Sequence, residues 1–432
     1  MTPAARASAA IEVLADIAGR KRPAADALKD WGLSHRFAGS GDRAAIGNLV
    51  FDSLRKRASF AYAMGDDSPR ALVLRTLTSS WALTPDEVAA LADGSRFAPP
   101  PLTPDEIEGL RREVREDAPV SIQGDFPAWL EPQFERAFGV HAAAEGALLA
   151  ARAPVDLRVN TLKTTREKVL HALRRFDAAA TPHSPFGIRI AAGTGPSRSP
   201  HVEAEPGHGK GWYEVQDEGA QVATLLAGPR PKQQILDLFA GAGGKTLALA
   251  AVMENTGQLY AYDADRVRLR PIFERLKRAG VRNVQVLDPG DTEALAGLEG
   301  KMDRVVVDAP CSGSGVWRRR PDAKWRLSPQ MLEARLAEQR TVLDQAARLV
   351  KPGGRLAYIT CSVLPPENRD QVEGFLSRFP QYGIVPWPDL WQAASLSAAA
   401  PPQSADGSGK TLLMTPRSFA TDGFFVAVLE RK

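Results

Sequence analysis

From about residue 231 to the C-terminus, short apolar, β-branched runs alternate with segments of helical period. Neighbouring parallel strands need a crossover of a dozen or more residues, usually a helix, so this alternation restricts the region to an α/β fold with a doubly wound, mostly parallel sheet. Strands are predicted over 235–239, 259–263, 284–288, 304–308 and 355–360, with 424–429 as a last, antiparallel strand. In such a sheet, ligands and chemistry gather at the carboxyl ends of the strands.

Those ends are unusual. The turn after the first strand is Ala240-Gly241-Ala242-Gly243-Gly244-Lys245-Thr246, whose small residues let backbone N–H groups approach a ligand at a helix N-terminus. Asp263 ends the second strand, about 20 residues on, where a carboxylate can accept hydrogen bonds from ribose hydroxyls. Asp288 and Asp308 close the third and fourth strands. Any single Asp reads equally well as a cap for the following turn, but the set points to a nucleotide-like cofactor. The Gly-Lys-Thr comes too soon after Gly241 for a phosphate-binding Walker loop.

The chain has only two cysteines in 432 residues, and both fall on the same edge. Cys311 follows the fourth strand in Asp308-Ala309-Pro310-Cys311-Ser312, and Cys361 follows the fifth in Thr360-Cys361-Ser362. One buried cysteine is ordinary; two in matching positions, each followed by Ser, read as a reactive pair rather than two small hydrophobes or a disulfide. There is no paired CxxC or His cluster to hold a metal. The first residues lack the apolar core of a signal peptide, and no apolar run approaches the ~20 residues that span a bilayer. A soluble, cytoplasmic, monomeric protein with reduced thiols is therefore expected.

Residues 1–140 read as helical. Thr2-Pro3 is a start signal, Ile11, Leu14 and Ala18 share a face, and Gly19 ends the run. A second helix begins near Asp42. Residues 141–210 read as a small α/β module: a strand over 155–160, a helix opened by a Thr164-x-x-Glu167 capping box, and a short strand at 188–190. Residues 211–432 then form the main domain. The segments 191–210 and 398–409 read as loose loops, the second poorly ordered. The net charge of +4 divides into two basic parts, 1–65 and 151–432, flanking an acidic 66–150. That pattern suits a polyanionic partner.

Together these residues resemble the RNA (cytosine-5) methyltransferases of the NOL1/NOP2/Sun family. The resemblance rests on Asp237-x-x-Ala240-Gly241-Ala242-Gly243-Gly244-Lys245-Thr246, Asp308-Ala309-Pro310-Cys311-Ser312, Arg319-Arg320-Pro321-Asp322-x-Lys324-Trp325 and Thr360-Cys361-Ser362-Val363-Leu364-Pro365-Pro366-Glu367-Asn368. It covers roughly 154–432, and residues 1–65 more weakly resemble the NusB-like helical domain of the subfamily that acts on 16S ribosomal RNA. The family's first motif has Ala-Pro where this chain has Gly241-Ala242, which makes the turn less preorganised. The resemblance implies a Rossmann-like methyltransferase sheet, S-adenosyl-L-methionine as cofactor and ribosomal RNA, 16S in particular, as substrate. It implies a cofactor site of Phe239, Ala240, Gly241, Ala242, Gly243, Gly244, Lys245, Asp263, Asp288 and Asp308. Cys361 is implied as the nucleophile, Cys311 as the release residue and Asp308 as the partner of the base. Glu367 and Asn368 are read as holding the Cys361 loop, and Lys245 either orders the site or makes a structural ion pair. The run from Trp317 to Arg326 reads as an RNA contact, with cations for phosphates and tryptophans for bases. Two other readings fit the residues: the same chemistry on transfer RNA, and a non-catalytic RNA-binding protein of methyltransferase-like fold.

Overall fold

The computed structural model describes the whole chain except residues 198, 199, 395 and 397–400. It divides into two units. One comprises Met1–Ala153, Ala192–Ser199 and Trp317–Leu327; the other holds the remainder.

The first unit is helical. Thr2 caps the helix Pro3–Arg20 by accepting the Ala5 N–H at 3.2 Å, with Pro3 in the first turn. The helix runs past Gly19 and stops at Lys21, which takes the left-handed conformation (φ 50°) in place of a glycine. In the helix Ser40–Arg55 the Asp42 carboxylate accepts the Gly39 N–H at 3.2 Å. Ala10, Val13 and Leu14 from the first helix pack with Ile46, Leu49 and Val50 from the third and with Val73, Leu74 and Leu77 from Pro69–Ser79.

The segment Trp317–Leu327 belongs to this unit, where several side chains of the run have structural partners. The helix Ser40–Arg55 ends with carbonyls that have no intrahelical partner. The Lys324 ammonium donates to the Arg55 carbonyl at 2.5 Å and the Trp325 indole N–H to that of Leu54 at 2.5 Å. The Arg55 guanidinium donates back to the Arg318 carbonyl at 3.0 Å. Trp317 is 1% exposed and stacks on Phe134 at 6.0 Å. Lys324 and Arg318 are buried, and Arg320 and Arg326 alone among the run's cations are exposed. The cluster is chiefly a cap and a core element because its aromatics bury and its donors answer helix-end carbonyls.

In the second unit, a four-stranded antiparallel sheet comes first. It holds β1 (Val155–Val159), β2 (Ala179–Ala180), β3 (Gly187–Ile190) and β4 (Tyr213–Val215), in the order β2-β3-β1-β4. The helix after β1, Arg166–Ala172, is capped by Thr165, whose hydroxyl accepts the Lys168 N–H at 3.4 Å; the Thr164 capping box does not form.

The large sheet contains β5 (Gln234–Asp237), β6 (Gln258–Ala261), β7 (Val284–Val286), β8 (Met302–Asp308), β9 (Val350–Thr360), β10 (Tyr382–Val385), β11 (Leu412–Met414) and β12 (Phe424–Arg431). Its order is β10-β12-β9-β8-β5-β6-β7, with β11 also paired to β12. Strands β5 to β9 run parallel, while β12 pairs antiparallel to β9 with Phe425 opposite Thr360. The chain winds outward from β5 to β7, then returns to β8 and β9. The strand order therefore reverses at β5/β8, where a doubly wound sheet opens its ligand crevice. Its core joins Ile235, Leu259, Val306, Ala357, Ile359 and Val426 from the sheet to Val222, Leu226, Leu249 and Ala250 from covering helices. The segment read as loose, 398–409, lies partly outside the described residues; from Ser404 onward it is ordered by the Ser404 hydroxyl, which binds Asp406 at 2.6 Å and accepts the Leu413 N–H at 2.8 Å. Among the described residues no helix is long and apolar enough to cross a membrane.

Candidate active site

Strand β5 delivers Asp237 to the switch point, and the glycine turn follows it. Gly241 and Gly243 have φ of 49° and 86°, a region that suits residues without a side chain. At Gly243 a Cβ would lie 2.6 Å from Ile272, so packing also demands glycine there. Two arginines hold the turn from outside: Arg158 of β1 donates to the Gly244 carbonyl at 2.7 Å, and Arg275 to that of Ala242 at 2.8 Å. The Asp263 carboxylate, 1% exposed, accepts the N–H of Gly241 at 3.0 Å and that of Asp265 at 2.9 Å. It thus braces the turn. Asp288 stands farther out, exposed, with the Arg266 guanidinium at 2.9 Å and the Gly290 N–H at 2.9 Å. Phe239 is half-buried beside the turn.

Asp237 is fully buried; it takes the Thr246 hydroxyl at 2.7 Å, and its other oxygen has no protein partner. Burial pushes its carboxyl up to about 7, opposed by the Thr246 hydrogen bond and the charge of Lys245. Lys245, also buried, lies across the switch point with its ammonium 2.7 Å from Asp308 at the end of β8. Asp308 keeps 36% of its side chain exposed, so the ion pair leaves it open to a ligand.

Beyond β8 and β9 the chain turns through Cys311 and Cys361. Both thiols are free and half-buried, and their sulfurs are 3.3 Å apart. Adjacency of the parallel strands, with Asp308 opposite Ile359, brings the two loops together. The hydrogen bond its S–H donates to Cys361, and then burial, push the Cys311 thiol well above its usual range.

Behind the thiols lies Glu367, fully buried, which accepts hydrogen bonds from Ser312 and Ser362. Asn368 accepts the Thr360 hydroxyl at 2.6 Å and donates to the Ser362 carbonyl at 2.9 Å, holding the Cys361 loop as the sequence suggests. Gln339 donates to the Pro310 carbonyl at 2.8 Å and to Glu367 at 3.1 Å. Sequence reading misses Gln339 and Arg275, because each acts from an element distant along the chain. The structure brings together Cys311, Cys361, Asp308, Lys245 and the glycine turn; it sets Asp288 apart on the rim.

A doubly wound sheet, a glycine turn at its switch point and two thiols on neighbouring strand ends define a Rossmann-like methyltransferase fold with a two-cysteine centre. Residues 223–430 match the family model described as 16S rRNA methyltransferase RsmB/F, and residues 126–195 match that of its ferredoxin-like domain. The probable ribosomal RNA small subunit methyltransferase B of Synechocystis sp. is 33% identical over 318 residues, 72% of this chain and 67% of that protein. The matched stretch spans about two thirds of the length of such relatives. Among solved structures, PH0851 is similar with a TM-score of 0.73 and 25% identity, covering 100% of this chain and 99% of that one. NSun6 from Pyrococcus horikoshii, solved with SFG, is similar with a TM-score of 0.62 and 22% identity, over 71% of this chain and 98% of that one. The chain belongs to the RsmB/F family of 16S ribosomal RNA methyltransferases.

Proposed function

We propose that this protein transfers a methyl group from S-adenosyl-L-methionine to C5 of a cytosine in ribosomal RNA, 16S in particular, through a covalent bond between Cys361 and C6. The observation that carries the reading is the pair of free thiols 3.3 Å apart beside Asp308, at the carboxyl ends of adjacent parallel strands.

The residues around the glycine turn suit the cofactor. The orphaned Asp237 oxygen, the carboxylates of Asp263 and Asp288, and the N–H groups opening the helix Gly244–Val252 offer acceptors for an ammonium and hydroxyls and donors for a carboxylate. SFG, carried by the NSun6 structure, is an analogue of that cofactor. When bound, S-adenosyl-L-methionine supplies the methyl group.

The protein's part follows from its side chains. C5 of cytosine is a poor nucleophile, and adding a thiolate at C6 makes it enamine-like. Cys361 makes that addition, while Asp308, oriented by Lys245, hydrogen-bonds the N3 and N4 edge of the base and favours its protonation. Cys311 serves the release step: the C5 proton passes through its thiol to solvent, the C5–C6 double bond re-forms, and the C6–S bond breaks with its electron pair returning to Cys361 as thiolate. A cytosine within a duplex must first be flipped out to reach these groups.

The test is transfer of a labelled methyl group to 16S ribosomal RNA and to transfer RNA in parallel, with bisulfite sequencing of the product. Label at one 16S cytosine is expected; label on transfer RNA alone would replace the substrate, and none on any RNA would overturn the enzyme reading.

A further inference from the structure

Each cysteine is followed by a serine, and both serines meet one carboxylate. Glu367 Oε1 accepts the Ser312 N–H at 2.7 Å and the Gln339 amide at 3.1 Å; Oε2 accepts the hydroxyls of Ser312 and Ser362, each at 2.5 Å. A hydroxyl has one proton to give. Ser312 Oγ accepts the Ser314 N–H at 3.3 Å and Ser362 Oγ the Leu364 N–H at 3.0 Å, and for both hydroxyl protons Glu367 at 2.5 Å is a nearer acceptor than the neighbouring serine oxygens at 3.4 and 3.0 Å. Ser314 Oγ, accepting the Val363 N–H at 2.9 Å, supports Ser362 from behind at 3.0 Å. Gln339 must present its NH2, because the Pro310 carbonyl it also meets can only accept.

Glu367 thus receives four donations and makes none, the pattern of an ionised carboxylate. Burial pushes the group up, and the donors from Ser312, Ser362 and Gln339 oppose that. Among the described residues it forms no ion pair, so hydrogen bonds alone hold this carboxylate behind the two sulfurs.

We propose that Glu367 is the positioning residue of the thiol pair: by tying Ser312 to Ser362 it locks the β8 and β9 loops in one register, and its charge keeps Cys311 a thiol, leaving Cys361 as the sulfur that attacks. The proposal rests on the methyl-transfer reading for what the pair does. Its geometry stands alone. A single carboxylate spans both loops, so the 3.3 Å separation of the sulfurs is set by hydrogen bonds rather than by a bond between them. The titratable groups that bear on Cys311 are Cys361 and Glu367, with the buried Tyr358 phenol, which donates to the Glu367 carbonyl at 2.6 Å and feels both Glu367 and Cys311. A negative charge beside a thiol disfavours its ionisation.

The two-cysteine composition makes a clean experiment. In a Cys361→Ser chain, Cys311 is the sole thiol, and the pH at which iodoacetamide alkylates it half-maximally reports its ionisation without RNA or cofactor. Adding Glu367→Gln is expected to lower that midpoint by about one unit; Ser362→Ala, which keeps the charge, leaves it in place. In a Cys311→Ala chain, both Glu367→Gln and Ser362→Ala are expected to slow accumulation of the covalent RNA complex at least tenfold, with circular dichroism unchanged. An unmoved midpoint in Glu367→Gln overturns the proposal. Should that variant not fold, the double variant Ser312→Ala and Ser362→Ala decides: adduct formation at the parent rate overturns it, and a tenfold loss supports it. A shifted midpoint with no adduct in any chain upholds the hold of Glu367 on Cys311 and sinks the methyl-transfer reading instead.

Discussion

Separate replacement of Cys361 and Cys311 distinguishes two roles that their 3.3 Å contact would otherwise blur. Cys361→Ala is expected to abolish methylation and to leave no protein–RNA complex on a denaturing gel. Cys311→Ala retains the attacking sulfur, so it should methylate once and stall with RNA attached, visible as a slower band that the double variant loses. An adduct in Cys361→Ala but not in Cys311→Ala would reverse the assignment. Asp263 carries a second prediction at this scale. Its carboxylate braces the Gly241 N–H at 3.0 Å and, in the proposed reading, also accepts from the cofactor's ribose. Asp263→Ala should therefore weaken S-adenosyl-L-methionine binding at least tenfold in calorimetry while the circular dichroism spectrum is retained; unchanged affinity would leave Asp263 with its turn alone. Cys311, Cys361, Asp308 and Lys245 were legible in the sequence because each lies within a few residues of a strand end, where a local motif and the sheet topology coincide. Gln339 and Arg275 were not, since a lone Gln on a long helix or an Arg on a short one acquires its partner only when the chain folds.

Among elements, β5 to β9 and β12 were readable as short apolar or alternating runs bounded by turn signals. β10 and β11 were missed: each is four residues or fewer and pairs only with β12. The segment Trp317–Leu327 was only half legible, for a different reason. Cations and tryptophans look alike whether they face phosphates or cap a helix, and only the free carbonyls of Leu54 and Arg55 distinguish the cases. Lys324 makes that placement measurable. Burial pushes its ammonium down from 10.5 to about 7. The unfolded chain keeps this proton to about pH 10.5 and the folded chain only to about 7, so stability from this group rises with pH between those values and is lowest below 7. Lys324→Met should erase that rise. It should also cost about 1–3 kcal/mol at alkaline pH, where the carbonyls of Arg55 and Asp125 lose their donor. Urea unfolding at pH 6.5 and 9.5 checks both: the gap between wild type and variant should widen at the higher pH, and a pH-independent gap would mean that Lys324 titrates normally.

At the scale of the molecule, the units are not consecutive stretches of sequence. The chain leaves the sheet-bearing unit for the helical one at Trp317 and returns after Leu327, and Ala192–Ser199 is shared out in the same way. A boundary drawn by composition cannot find such an excursion, because a tract of eleven residues carries too few contacts to announce its own core. The consequence is that the helical unit cannot be removed at residue 153 without orphaning part of its interior. Trp317, Lys324 and Leu327 are 1%, 1% and 8% exposed, and in a fragment of residues 154–432 they lose Phe134, Arg55 and Asp125, the groups that cover or answer them. Burying an indole is worth about 2–3 kcal/mol, and leaving an ammonium and its stem without partners adds to the penalty. The fragment is therefore expected to bind a fluorescent hydrophobic probe and to self-associate on size exclusion. Replacing Trp317 and Leu327 with Ser in the same fragment should reverse both effects, because it removes the apolar surface and leaves the sheet untouched. A monodisperse 154–432 fragment that ignores the probe would mean that Trp317–Leu327 finds a second buried home in the sheet-bearing unit.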